Sequence, residues 1–280
     1  MTDAIDLMPG LEERLFTYRG ARIRWFAGGD GPPLLLVHGY SGAAWNFTEL
    51  VPRLAGRRRL IVPDLPGHGG SSPLPAPSSL AAYADVLGAL CDAEMLTEVD
   101  VLGHSLGGTV ALRLAERRPA LVRRLVLAAS AGISSSTRLA KLTISLVGIV
   151  KPGRYAGRRV GRIAGSRRLR RLAFGGLEVA NADLLSERAV HGLLRGPTMH
   201  TDALGAGLAL AADDPRQDLD RVRCPVLLLW GARDRQVPLA DGFEYARRLR
   251  APLRVVADCG HLLIVERPEV CSRAVLEFLG

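Results

Sequence analysis

One ten-residue stretch constrains the fold more than any other. Val99-Asp100-Val101-Leu102 runs directly into Gly103-His104-Ser105-Leu106-Gly107-Gly108, and a helix-forming segment, TVALRLAERR, follows. A largely apolar run this short is the mark of a strand covered on both faces. A covered strand that turns through glycines straight into a helix is one unit of an alternating strand–helix chain. The same reading applies to Leu34–Val37, Leu60–Val62, Leu121–Ala129 and Pro225–Trp230, while 22–28 alternates into a Gly28–Pro33 turn and Leu253–Val256 reads as a last strand. Between them the spacing predicts a short helix over Ala44–Leu54 and longer ones over Ser79–Ala93, Gly107–Arg117, Leu239–Leu249 and Pro268–Leu279. The class is α/β, with a doubly wound, mostly parallel sheet.

The alternation breaks between residues 131 and 215, which contain helical pieces and no convincing strand. A helix from Ser136 or Thr137 to Val150, then Ser166–Phe174, Asp183–Arg195 and Asp202–Ala212, make up this part. The expectation is a core of residues 1–130 and 216–280 with a helical cap of 131–215 inserted into it. Charge marks the same segment. Eleven arginines and lysines and no acid lie between Ala131 and Leu177, and the rest of the chain holds 26 basic and 28 acidic residues. A +9 chain whose excess sits in one segment is not evenly basic.

Composition excludes several classes. At 280 residues, 48% hydrophobic and 23% charged, the chain buries a full core and needs no disulfide or metal to hold it. The four cysteines have no C-x-x-C spacing, and no histidine or carboxylate cluster points to a metal. No G-x-G-x-x-G follows the first strand, so no dinucleotide cofactor is expected. The basic segment lacks a nucleic-acid-binding motif, with only Tyr155 and Phe174 to stack on bases. MTDAIDLMPG is not a secretory leader, and no apolar run reaches a membrane-spanning length, so a cytoplasmic protein is expected.

Gly103-His104-Ser105-Leu106-Gly107 fits G-x-S-x-G in the setting where that motif works, a strand–turn–helix that lifts the serine hydroxyl above the sheet edge. Side chains at Gly103 or Gly107 would strike the neighbouring helix or strand. Serine is a weak nucleophile and needs a base, and the base needs an orienting acid. His261 is the best base, in the turn after LRVVADCG, and Asp234 the best acid, in the loop GARDRQVP after PVLLLWG. Asp258 competes for the acid role but lies three residues from His261 on the same connection, where it faces solvent or caps the turn. After Ala129 the chain offers only Ser130 and Gly132.

With LLLVHGYSG, DLPGHGGSS, GHSLGG, WGARDRQVP and CGHLLIVERPE together, the chain resembles the α/β-hydrolase superfamily over residues 20–130 and 218–280. The resemblance implies a cap between the sixth and seventh core strands, and an oxyanion hole built from the backbone N–H groups of Tyr40 and Leu106. It gives His38 and His68 bracing roles, whereas His191 and His200 read as packing or surface residues on cap helices. Serine at 105 argues against the branches with an aspartate nucleophile. The implied reaction is hydrolysis of a carboxylic ester, lactone or thioester of a hydrophobic small molecule through an acyl-enzyme on Ser105. Carbon–carbon bond hydrolases commonly have tryptophan after the histidine, where this chain has Leu262, although Arg188 or Arg195 supplies a cap arginine. An acyltransferase uses the same three residues, and a non-catalytic receptor keeps them idle. Apolar Leu142, Ile144, Leu146, Val147 and Ile149 and the small residues of 203–212 suggest an acyl pocket under the cap. Arg167, Arg168, Arg170 and Arg171 suggest an anionic partner: a charged substrate, an acidic carrier protein or an anionic surface.

Overall fold

The computed structural model describes residues 5–134 and 159–280. Eight strands among them form one sheet in the order β1-β2-β4-β3-β5-β6-β7-β8. They are β1 (Glu12–Tyr18), β2 (Ala21–Gly28), β3 (Pro33–Val37), β4 (Arg59–Pro63), β5 (Val99–His104), β6 (Val122–Ala128), β7 (Val226–Gly231) and β8 (Leu253–Val256). From β4 onward every pairing is parallel, while β1 and β2 pair with each other, and β2 with β4, in antiparallel fashion. β1 is a strand that no apolar pattern predicts. That strand is exposed along most of its length, so it lacks the apolar run that marks the inner strands. Its one local signal is the turn Arg19-Gly20, where both residues take positive φ, as a tight hairpin requires.

The helices are α1 (Val51–Leu54), α2 (Leu80–Ala93), α3 (Leu106–Arg117), α4 (Val160–Gly165), α5 (Arg167–Phe174), α6 (Glu187–Arg195), α7 (Ala203–Ala212), α8 (Leu239–Leu249), α9 (Leu263–Glu266) and α10 (Pro268–Leu279). Helix α2 packs on α3, and α1 on α10, while the inner strands β3, β5 and β7 are buried almost without interruption. Serines and aspartates start the helices where expected: Ser79, Ser166 and Asp202 each accept a backbone N–H of the first turn. Two expected helices are broken. Ala44–Leu54 is a 3₁₀ turn (Ala44–Phe47) followed by α1, because Pro52 sits only at a helix start. Asp183–Arg195 divides at Ser186, which caps α6 in place of Asp183.

The chain passes from β3 outward to β4 and returns to place β5 on the other side of β3. This reversal leaves the C-terminal ends of β3 and β5 side by side, with Val37 opposite Gly103, at the crevice where open α/β sheets bind ligands. Helices α4–α7 lie between β6 and β7 in the chain. Their connections are fastened to loops at that same sheet edge: Thr201 and Asp202 donate to the Gly67 carbonyl, His200 Nε2 to that of Gly42, and Leu262 to that of Glu178. The apolar helix expected up to Val150, with Leu142–Ile149, lies outside the described residues. In α7 the small residues Ala206 and Ala209 are buried together with Leu210, whereas Leu204 and Leu208 face outward.

Candidate active site

Ser105 sits between the last residue of β5 and the first of α3 with φ 53° and ψ −121°, left-handed strain in a residue other than glycine. Two close approaches hold it there. A Cβ on Gly107 would collide with the carbonyl oxygens of Val37 and His38, and one on Gly103 with the Gly107 carbonyl in α3. These are the strand and helix collisions inferred from the motif. Below the turn, Ala131 donates to the Ser105 carbonyl at 3.1 Å, while Tyr245 Oη and Thr109 Oγ1 both donate to the Ala131 carbonyl.

The structure brings together the three residues singled out from the sequence. His261 Nε2 lies 3.0 Å from Ser105 Oγ, and His261 Nδ1 lies 2.8 Å from Asp234 Oδ2. The other oxygen, Asp234 Oδ1, accepts the N–H groups of Gln236 and Val237, each at 2.9 Å. With both oxygens occupied, the carboxylate cannot rotate without losing several bonds. The loops meet because Gly231 at the end of β7 abuts the Gly260 carbonyl, too close for any side chain. Asp258 stands apart. It is exposed and pairs with Arg233 at 2.6 Å.

Leu106 and the turn at Gly39-Tyr40 flank the serine. Leu106 opens α3, so its N–H has no acceptor within the helix. Tyr40 follows Gly39, and a Cβ on Gly39 would stand 3.1 Å from Ser105 Cβ, so this turn is packed directly on the serine. Burial raises the Tyr40 phenol, which stays protonated.

The histidines are closer to the site than their sequence positions suggest. His38 Nε2 accepts the Leu65 N–H at 2.9 Å, so Nδ1 carries the proton and donates to the Gly39 carbonyl. His68 donates from Nδ1 to the Pro66 carbonyl and packs at steep angles between His38 and His200, with ring centroids at 5.3 and 4.7 Å. Burial lowers His38 and His68 to about 3, so both are neutral. His200 lies just beyond a 3₁₀ turn (Gly196–Met199) and not on a helix, and it is buried against Gly42. His191, on α6, is half-buried.

Two carboxylate residues that no sequence motif marks also brace the site. Glu266 on α9 accepts from Gly260, Asn181 and Ala180, at 2.7, 2.8 and 3.2 Å, and so ties the His261 loop to the segment after α5. Glu178, in that segment, accepts the Leu262 N–H through its carbonyl, and burial raises its carboxyl against the opposing pull of His261. Neither has a spacing signal, since Glu266 reaches Asn181, and Glu178 meets Leu262, across a long gap in the chain. The arginines of α5 separate into two kinds. Arg170 turns inward to the Leu185 carbonyl and Arg171 pairs with Asp183, leaving Arg167 and Arg168 exposed beside Arg159 and Arg162. Arg195 lies over the Trp45 ring, and Arg188 is half-buried. Among the described residues there is no group of metal-ligating side chains and no helix long and apolar enough to cross a membrane.

A family model described as alpha/beta hydrolase fold matches residues 32–268. A pimeloyl-[acyl-carrier protein] methyl ester esterase from Aromatoleum aromaticum is 35% identical over 264 residues, covering 86% of this chain and 95% of that protein. The dihydrolipoyllysine-residue acetyltransferase component of an acetoin cleaving system from Pseudomonas putida is 30% identical over 93% of this chain and 67% of its own length. Among solved structures, a thermophilic esterase from Thermogutta terrifontis superposes with a TM-score of 0.76 at 26% identity, covering 96% of this chain and 98% of its own.

Proposed function

The chain belongs to the α/β-hydrolase fold family, and from that premise we propose that this hydrolase is a serine esterase working through an acyl-enzyme on Ser105. The observation that carries the reading is the continuous line from Ser105 Oγ through His261 to Asp234, at 3.0 and 2.8 Å. As Oγ attacks the ester carbonyl, His261 Nε2 takes its proton and Asp234 stabilises the imidazolium. The oxyanion accepts hydrogen bonds from the N–H groups of Leu106 and Tyr40, each contributing about 3 kcal/mol by comparison with other oxyanion donors. The tetrahedral adduct collapses, His261 returns the proton to the departing alcohol, and the acyl group remains on Ser105. Water then gives up a proton to His261 as it attacks the acyl carbonyl, and the second tetrahedral adduct collapses to the free acid as His261 returns that proton to the departing Ser105 Oγ.

The substrate class we favour is an ester of a hydrophobic acyl group, with residues 131–215 as the cap over it. The Aromatoleum relative, which is named for a methyl ester on an acyl-carrier protein, supports the ester and adds a finer version in which an acidic carrier presents the acyl chain. Exposed Arg159, Arg162, Arg167 and Arg168 suit such a partner by charge. Acyl transfer is the second reading, favoured by the Pseudomonas relative. A panel of esters, lactones and thioesters graded in acyl length, run with and without a thiol acceptor, tests all of these. We expect free acid from wild type and background rates from Ser105→Ala. Acyl groups appearing on the thiol support transfer, and ligand binding without turnover by wild type overturns the enzyme reading. Arg167→Gln with Arg168→Gln is expected to lower kcat/KM for a carrier-borne ester only, and to flatten its salt dependence.

A further inference from the structure

His104, the variable residue of the elbow, has no part in the steps above, yet it touches the base. Its Nε2 lies 3.0 Å from the His261 carbonyl oxygen, and the two rings stand 5.0 Å apart at 46°. A carbonyl only accepts, so His104 Nε2 must carry the proton and Nδ1 the lone pair. Nδ1 is buried with no hydrogen-bond partner among the described residues, and it is packed so closely on Gly39 that a Cβ there would stand 3.1 Å from it. Burial also lowers the ring to about 3, so it stays neutral across the working range of an esterase. His104 therefore has one tautomer and one bond to give.

We propose that His104 is a positioning residue, locking the main chain of His261 to the strand that presents Ser105. The His261 backbone is held from three directions: Gly260 by Glu266, Leu262 by Glu178, and His261 itself by His104. Only the third comes from the elbow. Residues 104 and 105 are adjacent, so one end of β5 sets both the nucleophile and the backbone that carries its base. The Ser105–His261 distance is then fixed within one rigid unit and does not depend on how two separate loops happen to lie. A serine–histidine pair is sensitive to such errors, since a displacement near 1 Å costs about 100-fold in rate.

This inference rests on the triad reading, and its test separates the two. His104→Phe keeps the ring and removes the donor, whereas His104→Gln keeps an N–H that reaches the same carbonyl. We expect His104→Phe to lower kcat by about 10- to 100-fold with KM within about twofold, and to slow fluorophosphonate labelling in proportion. His104→Gln is expected to recover most of the loss. Rates are taken per active site titrated, so a variant that merely folds poorly shows unchanged kcat per site, which overturns the proposal. If His104→Phe does not fold, nitrogen NMR of histidine-labelled wild type decides: the Nε2–H tautomer supports the proposal and the Nδ1–H tautomer overturns it. A fully active His104→Phe beside a dead Ser105→Ala overturns only this inference, whereas an active Ser105→Ala overturns the triad.

Discussion

Asp234 and Asp258 differ in what their oxygens touch, and that difference decides their expected mutational cost. Asp234 gives one oxygen to His261 and the other to two backbone N–H groups, while Asp258 is solvent-exposed and paired with Arg233. Asp234→Asn keeps the shape but lets the amide present an N–H to His261, favouring the wrong tautomer. A fall in kcat of about 10⁴-fold is expected. Asp258→Asn removes only an exposed ion pair, worth at most ~1 kcal/mol, and is expected to leave kcat within about twofold. Steady-state kinetics of the two variants on one ester check this, and the reverse order would mean that the acid has been misassigned. The pairing of Asp234 with His261 was legible in the sequence because GARDRQVP follows an apolar strand and offers a single carboxylate. His104 was not legible, since nothing in G-x-S-x-G says where the x side chain reaches.

At the scale of elements, α9 does more than begin the C-terminal part of the chain. Through Glu266 it satisfies three backbone donors, one in the His261 loop and two in the segment after α5. Glu266→Ala would leave these groups without their acceptor, the Gly260 N–H in a buried place and the other two partly so, at about 1–3 kcal/mol for each donor that water cannot reach. The variant is expected to lose at least ~2 kcal/mol in urea unfolding and to show a lower kcat, because the loop carrying His261 loosens with it. Full stability in Glu266→Ala would show that water replaces the carboxylate. Inner strands and capped helices were readable from local pattern, as with LLLV and with Ser79 before α2. Contacts between separate elements were not. The Glu266 clasp spans 85 residues to Asn181, and Arg170 turned inward to a carbonyl that no helical spacing reveals.

Over the whole molecule, the fold buries three neutral histidines around one crevice: His38, His68 and His104, each lowered to about 3 by desolvation. An unfolded chain protonates histidine near 6.5, so between about 6.5 and 3 it binds protons that the folded state does not. Their contribution to stability is complete above pH 6.5 and declines below it, by about 1.4 kcal/mol per pH unit for each histidine. Urea unfolding at pH 7.5 and 5.5 is expected to show a steep acid loss, reduced by about one histidine's share in His68→Phe. An unchanged slope in that variant would mean that His68 protonates within the fold. Sequence motifs placed these histidines in site loops, but not the contact of the His68 ring with His200, which depends on the 199–202 segment docking on Gly42 and Gly67. The same three-dimensional assembly brings residues 105, 234 and 261 together, since they meet only once the sheet has formed. Its most direct test is mass spectrometry of the folded chain after brief exposure to a fluorophosphonate, followed by peptide mapping. One adduct on Ser105, lost in His261→Ala and in urea, is the result expected. Equal labelling of Ser105→Ala, or an adduct on another residue, would contradict the account.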